Sequence, residues 1–137
     1  MKNMYEKIVA SLIFSTKKSS YSKDIWPFTT VLGLSAAMTL NIGSIWMIID
    51  SYFFPNFTES IHIKILNSKL HNDFLNFIIY IFLPICLFNY VCIFYNNRYV
   101  LIEQKYNKIN HMKIGRIYFG LSWLGYFAII FWIINTR

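Results

Sequence analysis

Three long runs without a charged residue constrain this chain more than any other feature of its sequence. They cover residues 25–49, 74–97 and 117–136, which makes them 25, 24 and 20 residues long. About 20 residues of α-helix, at a rise of about 1.5 Å each, cross the hydrocarbon core of a membrane. Each run is therefore long enough to cross a membrane once and too short to cross it twice.

Within lipid, only α-helices and closed β-barrels satisfy every backbone N–H and C=O group, and three segments cannot close a barrel. The composition agrees, because 56% of the residues are hydrophobic and 14% are charged, whereas ordinary soluble domains carry about 25% charged residues. The sequence thus predicts an all-α integral membrane protein. It forms a single membrane domain over 1–137, with transmembrane helices at 27–50, 74–97 and 115–136.

The positive charges predict the orientation of these spans. Ten of the 13 lysine and arginine residues lie before the first span or between the second and the third, and cytoplasmic segments carry such an excess. Lysine outnumbers arginine ten to three, as AT-rich bacterial coding sequence would produce. We therefore expect a bacterial inner-membrane protein with a cytoplasmic N-terminus and a periplasmic C-terminus. Its net charge of +7 points to anionic lipid headgroups as partners and needs no nucleic acid.

The N-terminal segment predicts an amphipathic helix over 4–18. Apolar residues recur there at helical spacing, and Glu6, Lys7 and Ser11 lie on the other side of the helix. Such a helix is typical of segments that lie on a membrane surface. The fold class therefore includes an N-terminal amphipathic interfacial helix in addition to the three spans.

The second span is predicted to continue as a cytoplasmic helical extension over 98–110. Tyr99, Ile102, Tyr106 and Ile109 recur there at offsets of 0, 3, 7 and 10 residues, which places them on one face of a helix. One interpretation of this stripe is a docking surface for a partner helix. The other is a stripe packed on the protein's own N-terminal helix or on the lipid surface.

The outer loop over 55–73 is too small to form a domain. Its alternating run at 61–65 favours a short strand or a segment lying on the membrane surface. His62 and His71 have the side chains of metal ligands, but they show no recognised ligand spacing. We expect no metal and no cofactor.

Four polar residues lie well inside the spans: Asn41, Asn89, Ser122 and Tyr126. An unpaired amide in hydrocarbon costs several kcal/mol, so each residue needs a partner. Measured from the middle of its run, Asn89 lies on the cytoplasmic side, as does Ser122, whereas Asn41 lies on the outer side and Tyr126 near the midplane. Depth therefore predicts a pair of Asn89 with Ser122 and a pair of Asn41 with Tyr126.

Small residues predict where the helices approach closely. Gly33 and Ala37 are separated by three residues on the first span, and Gly120 and Gly125 thin the third. Small residues at such positions allow helix backbones to pack closely in membranes. Pro84 is expected to kink the second span, because proline removes a backbone hydrogen bond.

None of the three runs contains Asp, Glu, Lys, Arg or His. Proton relays, voltage sensors and ion-coupled transporters need such groups at membrane depth, and intramembrane hydrolysis needs a catalytic constellation that the sequence lacks. We therefore expect a protein that is not an enzyme. Two function classes stay open: a module that binds another membrane protein, and a self-assembling pore or effector lined by Asn41, Asn89 and Ser122.

At residues 89–106 the chain reads NYVCIFYNNRYVLIEQKY. This stretch resembles a group of small bacterial inner-membrane proteins in which a span ends in aromatic and asparagine residues and runs into a basic, tyrosine-rich cytoplasmic helix. Some proteins of this kind are thought to act as immunity partners of interbacterial toxins. The resemblance implies binding to a toxin or to another membrane protein rather than catalysis. An accessory subunit of a membrane complex and a homo-oligomer are further candidates.

Overall fold

The computed structural model of the protein describes residues 2–19, 24–53, 69–106 and 112–136. These residues are almost entirely helical. Their α-helices are α1 (Lys2–Lys18), α2 (Trp26–Tyr52), α3 (Lys69–Phe77), α4 (Leu83–Phe94), α5 (Arg98–Tyr106) and α6 (Met112–Thr136). A π-helical segment, Ile78–Phe82, joins α3 to α4, and a 3-10 turn, Tyr95–Asn97, joins α4 to α5.

Three helical stretches are long and apolar enough to cross a membrane: Trp26–Tyr52, Asn72–Tyr106 and Lys113–Thr136. This confirms the predicted all-helical class with three candidate spans. The stretches extend past the charged residues that delimit the uncharged runs, because a backbone hydrogen-bond ladder does not stop at a charged side chain. α6, for example, begins ahead of Lys113 and Arg116.

α2 is the central helix, and both other candidate spans pack on it. α6 runs in the same direction as α2, since a hydrogen bond of 2.8 Å joins Tyr52 to Thr136 near their C-terminal ends. α4 runs in the opposite direction, since Phe94 at its C-terminal end contacts Trp26 at the start of α2 and Asn89 bonds to Ser35 further along α2. Between the described residues of α4 and α6 there is no extended contact.

The second candidate span contains a π-helical segment immediately before Pro84. The backbone N–H of Leu83 donates to the carbonyl of Ile78, five residues earlier. Proline has no N–H to donate to the carbonyl four residues before it, and π-helical turns are common at such interruptions of the α-helical ladder. A kink lies further along, at Asn96 and Asn97, where the backbone leaves the right-handed helical region.

The hydrophobic core of the described residues surrounds α1. Val9 and Ile13 are fully buried there, and Leu34, Ile93 and Ile102 pack in the same cluster. α1 contacts α2, α5 and α6, so it crosses the bundle at the end where α2 and α6 begin. The interfacial helix predicted over 4–18 is thus covered on its inner face by the rest of the chain.

Two predicted features lie outside the described residues. The alternating run at 61–65, with His62, belongs to the segment 54–68, and Ile109 belongs to the segment 107–111. His71 lies within α3.

Candidate functional site

α1 makes a polar contact with each of the three candidate spans. A hydroxyl group is present in every contact, so side chains of modest polarity join helices that are otherwise largely apolar. We call these the three anchor contacts: Tyr5 with Asn89 on α4, Ser11 with Gly115 on α6, and Thr16 with Thr30 on α2.

The first anchor contact centres on Asn89, which is completely buried. The hydroxyl of Tyr5 donates to its Oδ1 at 3.0 Å, and its Nδ2 donates to the hydroxyl of Ser35 at 3.0 Å. Nδ2 also contacts the sulfur of Met38 at 3.4 Å. Burial raises the pKa of the Tyr5 hydroxyl above its ordinary value. The amide is therefore satisfied from two helices.

In the second anchor contact, a side chain of α1 caps the N-terminus of α6. Gly115 lies in the first turn of α6, where backbone N–H groups have no partner within their own helix. Its N–H donates to the Oγ of Ser11 at 2.9 Å. A Cβ at Gly115 would lie 2.7 Å from that oxygen and 3.3 Å from the Cβ of Ser11. Only glycine therefore allows α1 to approach α6 this closely.

The sequence reasoning placed Ser11 on the solvent side of the N-terminal helix, and this was wrong. Ser11 is 1% exposed, and Ala10 beside it is also buried. Ser11 was placed on the wrong face because polar residues are expected to face solvent. Its actual partner is the backbone N–H of Gly115, and no sequence pattern marks a backbone partner. The sequence did contain one indication of this contact, because Ala10 and Ser11 are both small and small residues allow close approach to a glycine on another helix.

The pairings predicted from depth were also wrong. Asn41 does not meet Tyr126, and Asn89 does not meet Ser122. Instead Asn41 Nδ2 donates to the hydroxyls of Tyr118 and Ser122, each at 3.1 Å. Depth along a run does not determine the partner, because the sliding and rotation of each helix against its neighbours decide which side chains meet.

Of the buried side-chain oxygen and nitrogen atoms in the described residues, only the Thr39 hydroxyl lacks a hydrogen-bond partner. Asn41, Asn89 and Ser122 each have partners within the chain. A polar network that is satisfied within the bundle specifies how the helices pack. These side chains can therefore hold helices together, and they carry no arrangement of nucleophile and base.

Two ion pairs join α1 to α5, and we call them the charged clasp. Lys105 Nζ lies 2.6 Å from Glu6 Oε2, and Lys17 Nζ lies 2.6 Å from Glu103 Oε1. The hydrogen bond from Lys105 holds the pKa of Glu6 below its ordinary value. The hydroxyl of Tyr106 donates to the same carboxylate at 3.1 Å. α5 is thus fixed to both halves of α1.

An aromatic cluster supports one end of the charged clasp. Lys17 Nζ lies 4.2 Å from the ring centroid of Trp26 and 5.8 Å from that of Tyr99. The Trp26 ring also contacts Phe94, with a centroid distance of 5.7 Å. A cation over an aromatic face is attracted by the electron density of the ring. This cluster therefore connects α1, α2, α4 and α5 at one point.

The predicted docking stripe lies against α1. Ile102 is 5% exposed and Tyr106 is 8% exposed, both in the core cluster that includes α1, and Tyr99 is half-buried in the aromatic cluster. This is the arrangement that the second interpretation of the stripe describes. Ile109 lies outside the described residues.

The small residues predicted to lie at helix contacts have different surroundings. Ala37 is completely buried, but a Cβ at Gly33 or Gly125 would meet nothing within 4 Å. Tyr126 is half-buried and contacts the ring of Phe127 edge-on, with a centroid distance of 5.8 Å. Close approach occurs instead at Gly115, which the sequence reasoning did not single out.

Much of α6 is open. Among its residues 113–136, only Gly115 and Ser122 are buried, and both contact other helices through polar groups. One side of this helix, which we call the open face of α6, carries exposed residues at helical spacing: Ile117, Gly120, Leu121, Leu124 and Phe131. A broad apolar surface of this kind suits lipid or another helix.

Within the described residues, the fold is all-helical and three helices are long and apolar enough to span a membrane. Comparison with protein-family models, curated proteins and solved structures finds no match to this chain.

Proposed function

We propose that the protein lies in a bacterial inner membrane with its N-terminus in the cytoplasm and its C-terminus in the periplasm. Three apolar helices are compatible with a membrane location. Exposed basic residues at Lys18, Arg98, Lys113 and Arg116 surround the end of the bundle that carries α1, which supports a cytoplasmic position for that end. A periplasm-dependent reporter fused after Arg137 should be active, and the same reporter fused at Asn110 should be silent. The opposite result would reverse the orientation.

Within that membrane we propose that the protein binds another membrane protein and catalyses no reaction. The observation that carries this proposal is the open face of α6. Its exposed leucines at 121 and 124 lie beside Gly120, which has free space around it. Small residues beside larger apolar ones allow another helix to pack closely in lipid. The docking stripe is a weaker candidate surface, because Ile102 and Tyr106 are already covered by α1.

The most concrete role is that of an immunity protein that neutralises an interbacterial toxin, and the next is that of an accessory subunit of a membrane complex. The resemblance at residues 89–106 supports the first role. A self-assembling pore is the alternative. The internal hydrogen bonds of Asn41, Asn89 and Ser122 favour binding over a pore, because polar groups that face each other do not line a lumen.

The test compares two isoleucine substitutions at open glycines. Gly120→Ile alters the open face of α6, and Gly33→Ile makes the same change on α2, where an added Cβ also meets nothing within 4 Å. Complexes are purified in mild detergent and their masses are measured. We expect Gly120→Ile to remove the partner from the complex and Gly33→Ile to retain it. Equal loss or equal retention would exclude the open face of α6 as the contact.

The alternative is tested with the wild-type protein alone. If the protein only binds a partner, liposomes that contain the purified protein should stay impermeable to ions. Cells expressing it should also keep their membrane potential. Ion flux together with loss of potential would replace the binding proposal with the pore.

A further inference from the structure

The second candidate span ends in a corner. Tyr95, which follows α4, has an extended backbone with φ of −57° and ψ of 129°. Asn96 and Asn97 then both have φ of 54°, in the left-handed region that L-residues other than glycine rarely occupy. Asparagine tolerates this region better than most residues because its side chain can hydrogen-bond locally. Two such residues in succession mark a conformation that the rest of the molecule must hold in place.

The contacts that hold the corner come mainly from α1, with one aromatic ring supplied by α2. α5 begins directly after the corner, and its charges at Glu103 and Lys105 are bound by α1 through the charged clasp. Its apolar residues Ile102 and Tyr106 are buried in the cluster that contains α1. Lys17 also lies over the Trp26 ring, which packs on both sides of the corner. The charged clasp, the burial of Ile102 and Tyr106 and the position of Lys17 depend on a docked α1, whereas the ring contacts of Trp26 come from α2.

A straight helix through the corner is the alternative conformation when α1 is absent. α5 is helical in either case, so the two conformations differ only at Tyr95, Asn96 and Asn97. A helix that continued from α4 through the corner would regain the hydrogen bonds that the break removes. The bent form therefore requires contacts from elsewhere in the chain, and the straight form requires none.

We propose that the corner and the charged clasp form a two-state device. With α1 docked, the second candidate span is bent and Ile102 and Tyr106 are covered. When α1 releases α5, Asn96 and Asn97 return to the right-handed helical region and α4 and α5 form one straight helix. That helix presents Tyr99, Ile102 and Tyr106 as an exposed stripe. This conformational change involves only residues of this chain, so it does not depend on the proposed binding of a partner protein.

The matched test compares alanine and glycine at the corner, in a background where both native cysteines are replaced by alanine. Gly accepts the left-handed region without steric cost, whereas Ala does not. We expect Asn96→Gly with Asn97→Gly to keep the bend and Asn96→Ala with Asn97→Ala to release it. The readout is the labelling rate of the Ile102→Cys thiol by a maleimide. The alanine pair should raise that rate at least about tenfold over the glycine pair.

A distance measurement separates straightening from local unfolding. Spin labels at Leu87→Cys and Leu101→Cys, both at exposed positions, report on α4 and α5. In a straight helix these positions lie about 21 Å apart along the axis, since 14 residues separate them at about 1.5 Å each. The alanine pair should create a population at that separation. Faster labelling without such a population would overturn the proposal, as would equal labelling of the alanine and glycine pairs.

The charged clasp supplies a second variant that leaves the corner unchanged. Lys17→Glu places a carboxylate beside Glu103, so it should release α5 and raise labelling of the Ile102→Cys thiol. Adding Glu103→Lys restores opposite charges and should return most of the slow rate. If both variants label as slowly as the parent, α1 does not control the corner and the device is excluded.

Discussion

α1 is more polar than α6 but more deeply buried, and α6 is more apolar but more exposed. α1 carries Lys7, Lys17 and Lys18 along 17 residues, yet its Val9 and Ile13 are completely buried. α6 is apolar along nearly all of its 25 residues, yet only Gly115 and Ser122 among residues 113–136 are buried. Burial inside this protein therefore does not follow the hydrophobicity of the helix.

The physical reason is that, in the proposed location, the solvent around these helices is lipid instead of water. In water, apolar surface must be buried, and the most apolar helix would occupy the centre. In lipid, apolar side chains gain nothing by leaving the solvent, so helices associate through close packing and hydrogen bonds. α1 has hydroxyls and small residues at its contacts, and α6 has them only where it touches α1 and α2. The comparison suggests that small and polar residues, rather than leucines, set the stability of this bundle.

The largest expected effect breaks the close approach of α1 and α6. Gly115→Leu would place a side chain where even a Cβ meets Ser11 Oγ at 2.7 Å, so α1 must move away. We expect the protein to lose about 3 kcal/mol of unfolding free energy, as overpacked sites do, measured by denaturant titration in mixed detergent micelles. Gly120→Leu is the control, because a Cβ there meets nothing within 4 Å. Equal losses at the two glycines would show that the close approach is not needed.

The next prediction concerns the buried amide of α4. Asn89→Leu leaves the hydroxyls of Tyr5 and Ser35 without their partner, so the unfolding free energy should fall by about 2 kcal/mol. The double change Asn89→Leu with Tyr5→Phe should lower the unfolding free energy by about 0.5 to 1 kcal/mol less than the sum of the two single losses. Ser122→Ala is the control for coupling, because Ser122 bonds to Asn41 instead. Coupling to Ser122 and none to Tyr5 would support the pairing by depth over the pairing described above.

A smaller effect of opposite sign is expected at Thr39. Its hydroxyl is the buried polar atom without a partner in the described part of the chain, and valine has nearly the same shape. Thr39→Val should therefore raise the unfolding free energy by about 1 kcal/mol. Thr30→Val is the matched control on the same helix and should lower it, since the Thr30 hydroxyl is bonded to Thr16 at 3.0 Å. Stabilisation by both changes would mean that apolar packing dominates here.

The smallest effect is the pH dependence of the charged clasp. The pKa of Glu6 is lowered in the folded protein, first by the hydrogen bond from Lys105. A lowered pKa means that the carboxylate stabilises the fold above its ordinary pKa of 4.5 and that this contribution is lost as the pH falls through the lower, folded value. Glu6→Gln should flatten the acid limb of a stability profile recorded below pH 4.5. A profile that is unchanged by this substitution would assign the acid sensitivity to other carboxylates.

The sequence alone determined the helical class and the number of candidate spans. Runs of about 20 uncharged residues can satisfy their backbone in lipid only as helices, and this constraint depends on nothing beyond the order of residues along the chain. Some polar positions within the spans were also predictable, because Asn41, Asn89 and Ser122 stand out against apolar neighbours, whereas Thr30, Ser35 and Thr39 were not singled out although they are buried. What these positions bond to was not predictable from depth.

Only the tertiary structure decided the partners, because they depend on how far each helix slides and rotates against its neighbours. The Ser11 contact is with a backbone N–H at Gly115, and Tyr5 reaches Asn89 across 84 positions of sequence. The corner at Asn96 and Asn97 is a further case, since no sequence pattern marks two consecutive residues with positive φ and contacts from α1 and α2 hold the bend. Residue order determines which segments form helices, whereas packing between distant segments determines which surfaces those helices cover and which they leave open.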